Sequence, residues 1–66
     1  MTSLAEALPK EQARVREILG HYKEIGAPGA FGAAMIENSL RMTDEAVASG
    51  DVGAMISAYK DLKEIK

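Results

Sequence analysis

A chain of 66 residues has room for one small domain, residues 1–66, and excludes a two-domain arrangement. Eight Lys and Arg against ten Asp and Glu give a net charge of −2, without the cationic excess that a phosphate backbone demands. With no cysteine, disulfide scaffolds and thiolate metal sites fall away.

The longest uncharged run, residues 25–36, is rich in Gly and Ala and far below the ~20 apolar residues of a membrane span. The opening MTSLAEALPKE has neither a basic n-region nor a long apolar h-region, so no signal peptide is expected and the expected location is cytoplasmic. Core material is scarce. Twenty residues, Met1 included, are apolar and larger than alanine, and eleven more are alanine. A chain this short buries only about 60% of its unfolded surface and commonly relies on a staple or a second chain. No cofactor or structural metal is expected, so self-association, most simply as a homodimer, is the expected remedy.

Ala, Leu, Glu, Lys, Met and Arg dominate, and β-branched residues nowhere alternate with polar ones over a strand length. Ser3 with Glu6 matches a capping box and starts a first helix over 3–25, kinked or broken at Pro9. Leu4, Leu8, Val15, Ile18, Leu19, Tyr22 and Ile25 fall on one stripe of it. Glu11 lies within that stripe, which predicts loose packing near the proline. Gly26-Ala27-Pro28-Gly29 then punctuates the chain, Gly26 suiting a left-handed cap and Pro28 barring continuation.

A second helix over 30–48 carries two apolar stripes, one of Phe31, Met35, Met42 and Ala46 and one of Ala33, Ile36, Leu40 and Val47. They stand roughly 140° apart about the axis, and a helix with two such stripes is expected to touch two neighbours. Glu37 and Arg41 have i,i+4 spacing for an ion pair on the polar side. Gly50 closes this helix, and Asp51 caps a third over 51–65 with a single stripe of Val52, Met55, Ile56, Tyr59, Leu62 and Ile65. The expected fold class is therefore all-α, a three-helix bundle with the second helix central.

Candidate chemistry is thin. Glu17, His21 and Glu24 share one face at spacings that can hold a divalent metal, but that face lies opposite the apolar stripe and reads as solvated. A bundle of this size offers little interior for a catalytic pocket, so no enzyme is expected. Ala46, Gly50 and Ile56 echo the small-residue and turn positions of a helix-turn-helix. Glu45, Ser49 and Asp51, however, stand where that motif buries apolar side chains, and residues 51–55 offer nothing to read base edges. The small residues Gly26, Gly29, Gly32, Ala27, Ala30, Ala33 and Ala34 form no phosphate cradle and point instead to close backbone approach between the first two helices. Met35, Met42 and Met55 on apolar faces fill core gaps in the commoner case and line a partner groove in the other.

Residues 49–59, SGDVGAMISAY, resemble the turn and second helix of a tetratricopeptide repeat. The preceding helix has Ser39, Met42 and Thr43 where that family has an aromatic and a Leu-Gly pair, so an ordinary αα-hairpin accounts for the segment. Taken together, LPKEQARVRE (8–17), GAFGAAMIE (29–37) and SGDV (49–52) resemble small proteins encoded in proteobacterial prophages. That resemblance carries no assigned activity. It implies a bacterial cytoplasmic setting and a role in binding a host or phage protein.

The expected function is a non-enzymatic helical interaction module or modulator, with a dimeric nucleic-acid-binding regulator as the alternative. Lys10, Arg14, Arg16 and Lys23 are dispersed among Glu11, Glu17 and Glu24, which disfavours the latter. Leu19, Tyr22, Phe31 and Met35 are the candidate centre of a homodimer interface, since aromatic and Met residues are enriched at such surfaces. One reading folds the first helix onto its own chain; the other docks it on a second.

Overall fold

The computed structural model describes residues 3–66; Met1, counted above among the apolar residues, lies outside them. Three helices, α1 (Leu4–Ile25), α2 (Ala30–Ser49) and α3 (Val52–Glu64), form an all-α three-helix bundle. A 3-10 turn, Ala27–Gly29, links α1 to α2. α2 packs against both other helices, and α1 and α3 also meet directly. The first helix thus folds onto its own chain.

Local chemistry explains the boundaries. Ser3 Oγ accepts the Glu6 amide at 3.3 Å, and Asp51 Oδ1 accepts the Ala54 amide at 3.2 Å, so α1 and α3 each start on a side-chain cap. Gly50 ends α2 in the left-handed region at φ 70°, ψ 13°. Gly26 also has positive φ, but its ψ of −142° carries it outside the left-handed helical basin expected of it. α1 runs unbroken through Pro9. The missing amide of Pro9 deprives the carbonyl of Ala5, and both residues are exposed, where water can serve that carbonyl.

Leu8, Val15, Ile36, Leu40 and Leu62 are the buried centre, with Leu4, Ile18, Leu19, Tyr22, Met55, Tyr59 and Ile65 packed around them. The α1 stripe matches its expectation except at Ile25, which is 60% exposed because it lies at the end of the helix, beyond the reach of α3. On α2 one broad face is buried, comprising Ala33, Ile36, Leu40, Thr43 and Ala46. Both neighbours are met by that face, so two separate stripes are not needed, and Phe31, Met35 and Met42 point outward. Val47 is also exposed, as are Val52 and Ile56 on α3. Thr43 is fully buried because its hydroxyl donates back to the Ser39 carbonyl at 2.9 Å, leaving its methyl for the core.

Polar contacts mark the register. Gln12 donates to Asp44 at 2.9 Å, Arg16 lies 3.5 Å from Asp44, and Lys23 lies 3.8 Å from Glu37, so α1 and α2 are antiparallel. Glu37 therefore faces Lys23 across the helices, and Arg41 donates to Asn38 rather than pairing with Glu37. Arg14 donates to the carbonyls of Leu62 and Ile65, each at 2.8 Å, and to Glu11 at 2.8 Å. Glu11 is thus only 14% exposed, held by a guanidinium that also caps the end of α3. The packing expected to be loose here is closed by this ion pair.

With Arg14 at the C-terminal end of α3, the last turns of α1 and the first turns of α2 project past that helix. Tyr22 fills this two-helix end. A Cβ at Gly32 would lie 2.5 Å from the Tyr22 ring, and one at Gly29 would collide with the Tyr22 carbonyl. The small residues at this crossing serve close approach, as their spacing implied.

Two glycines should therefore respond oppositely to alanine. Gly29→Ala should destabilise by about 1–3 kcal/mol, because a backbone carbonyl must move. Gly20→Ala, with nothing within 4 Å of the added carbon, should stabilise by about 0.5–1 kcal/mol. Urea denaturation checks both signs. Arg14→Lys should cost about 1 kcal/mol in the same assay, since one ammonium cannot span two carbonyls and a carboxylate as the guanidinium fork does.

Candidate interaction surface

A helix that buries one broad face leaves the opposite side to polar residues, yet the outer side of α2 also carries three large apolar ones. Phe31 is 78% exposed, Met35 59% and Met42 58%. They belong to a row, Phe31, Met35, Asn38, Met42, Glu45 and Ser49, whose alternating steps of four and three residues keep it on one line of the helix. Every member of the row is exposed. Asn38 is fixed within it, accepting from Arg41 and donating weakly to the Met42 sulfur at 3.8 Å.

Small residues flank the row. Gly32, Ser39 and Ala46 lie on the side of α3, and Ala34 and Ala48 on the other side with Arg41. The α3 side opens into a groove made of two adjoining depressions of ≈ 430 and ≈ 360 Å³ that share Ser39 and Asp61. The first lies at the end of α3, between Tyr22, Gly32, Met35 and Ile36 on one wall and Glu64, Ile65 and Lys66 on the other. The second runs between Asn38, Met42 and Ala46 of α2 and Ala54, Ser57 and Ala58 of α3. Its α3 wall is low because two of those residues are alanines. The arrangement is an apolar ridge beside a shallow trough, which suits a helix laid along it.

The four expected interface residues separate in space. Leu19 and Tyr22 are partly buried against the core, whereas Phe31 and Met35 stand exposed on α2. Tyr22 and Met35 still meet at one wall of the first depression. Met42 and Asn38 were not among the expected four, although Met42 already shared a stripe with Phe31 and Met35 in the sequence. Glu17, His21 and Glu24 are all exposed, and no group of three or more His, Asp or Glu side chains among the described residues is placed to hold a metal ion. No helix among them is long and apolar enough to cross a membrane.

Charge around the ridge is sparse. Arg41 and Glu45 are the ionisable residues on the row and its α2 flanks, while Asp61, Glu64 and Lys66 stand across the groove on the α3 side. Three of the cations on α1, Arg14, Arg16 and Lys23, sit within 4 Å of carboxylates of the same chain. No protein-family profile matches the chain, and neither a curated protein nor a solved structure shows significant similarity to it.

The ridge should contribute little to the fold of an isolated chain. In sub-micromolar protein, Phe31→Ala should shift unfolding by no more than about 0.5 kcal/mol. Leu62→Ala, removing a fully buried side chain, should cost about 2–5 kcal/mol. Thermal and urea melts followed by circular dichroism compare the two.

Proposed function

We propose that this chain is a small non-enzymatic protein–protein interaction module whose working surface is the outer face of α2. One observation carries the reading: Phe31, Met35 and Met42 stand exposed in line on a helix whose opposite face already fills the core. Isolated exposed apolar residues are ordinary, but three large ones aligned on one helix face beside a groove mark a place where another surface docks. Methionine suits this use because its flexible thioether adapts to the partner's shape. The resemblance to small prophage-encoded proteins is what implies a bacterial cytoplasmic setting and a modulator's role.

Nucleic acid fits less well. The ridge is apolar and carries no excess of cations, and the α1 cations nearest one another are engaged with carboxylates of the chain. An enzyme fits least: the groove is shallow, and although Ser39, Ser57, Asp61, Glu64 and Lys66 line it, no hydrogen bond among the described residues joins either serine hydroxyl to one of those charged groups.

Affinity capture from a bacterial lysate tests the reading when wild type is compared with the double variant Met35→Lys, Met42→Lys. One protein recovered in stoichiometric amount by the wild type, and lost with a variant that melts normally, is the expected result. Equal recovery by the variant, or recovery of RNA or DNA in place of protein, would overturn it.

A further inference from the structure

We propose that the α2 ridge pairs with the same ridge of a second copy, antiparallel and across a two-fold axis, to form a homodimer through α2. The inference rests on the interaction reading above and commits it to one occupant.

The ridge is self-complementary. Positions 31, 35, 38 and 42 alternate as d, a, d and a of a heptad seam, and an antiparallel pair sets each a position against a d position of its partner. With the axis midway between residues 36 and 37, Phe31 meets the partner's Met42 and Met35 meets the partner's Asn38. Those two contacts and their symmetric copies make four layers. Each Phe31 gains a thioether against its ring, and each exposed methionine of the ridge is covered. Asn38 is the single polar residue among the four. In this register each Asn38 packs on the partner's Met35, and the two Asn38 amides lie in adjacent layers about 5 Å apart along the axis. The flanking Ala34, Ser39 and Ala48 let two backbones approach closely.

Charge matches in the same register. α2 starts after Gly29 with no side-chain cap, unlike α1 and α3, and its first turn holds no acidic residue. The next ridge position, Glu45, falls beside the start of the partner's α2. A carboxylate there complements the positive end of the helix dipole, and the two-fold axis supplies it twice. A parallel pairing would instead bring each Glu45 against its own copy, which repels.

Two properties of the chain make the experiment direct: it has no native cysteine, and the ridge lies outside the core. Sedimentation equilibrium of the full 66-residue protein from about 1 to 500 µM should show a reversible monomer–dimer equilibrium, with a melting temperature that rises with concentration. Met35→Lys should shift it to monomer at least tenfold in dissociation constant while circular dichroism at low concentration stays that of wild type. The register is read by oxidation. In the proposed pairing the two copies of residue 38 are offset by about 5 Å along the axis and those of residue 49 by about 37 Å. Asn38→Cys should therefore form a disulfide-linked dimer readily, and Ser49→Cys should not. Cross-linking of both variants would mean a parallel pair and overturn the proposal. A 7.1 kDa species throughout the concentration range would also overturn it. In that case lysate capture sensitive to Met35→Lys would still uphold the interaction reading, so the two failures are distinct.

Discussion

The crossing of α1 over α2 depends on one close contact, the Tyr22 ring and carbonyl against Gly29 and Gly32. A core with five large buried side chains cannot correct a misplaced helix by repacking, so the angle at which α2 returns has to be fixed by the backbone itself. Glycine at 29 and 32 removes the side chains that would hold the helices apart. Gly26 at φ 85° and the 3-10 turn that follows it bring the chain round. From that crossing the antiparallel register of α1 and α2 follows, and with it which face of α2 is left outside.

α3 is placed by different means. Its N-terminus is tied to α2 through Gly50 and the Asp51 cap, and its C-terminus is held by Arg14, nearly fifty residues earlier in the chain. Arg14 donates to the Ile65 carbonyl beyond the helix end and to the Leu62 carbonyl, which also accepts the Ile65 amide, and Glu11 balances its charge. One guanidinium thereby joins the first helix to the last. The groove beside the α2 ridge exists because α3 is held at this height and presents Ala54 and Ala58 along its wall.

Much of the fold was legible because its punctuation is local. Ser3, Asp51, Gly50 and the Gly-Pro turn each act within four residues, so the helix boundaries read from them agree with the structure to within one or two positions. The small residues around Gly29 were legible for the same reason, as a composition with one physical use. Direction was harder. Hydrophobic periodicity separated two stripes on α2 but carries no information about which of them meets the other helices, and both were assigned to neighbours. Thr43 reads as polar until its hydroxyl is seen to bond within its own helix. Glu11 looked like a flaw in the α1 stripe because its partner Arg14 draws its purpose from α3, and no local pattern encodes that tie. For the surface, Phe31 and Met35 could be named from residue type, whereas Leu19 and Tyr22 were drawn into the core by the crossing that the turn creates.

The unequal lengths of the helices bear on how this molecule breathes. α1 has 22 residues, α2 has 20 and α3 has only 13, so the end that holds Ile25, the turn and Phe31 is two layers thick where the rest is three. Amides there are shielded by fewer neighbours and open by local fraying, without waiting for the whole bundle to unfold. Hydrogen exchange would then run as a gradient along the long axis of the protein, slowest around Val15, Leu40 and Leu62 and fastest toward the Gly-Pro turn. Each such opening would release Tyr22 from its glycine seat and loosen the first turns of α2 while the remainder of the bundle stayed closed.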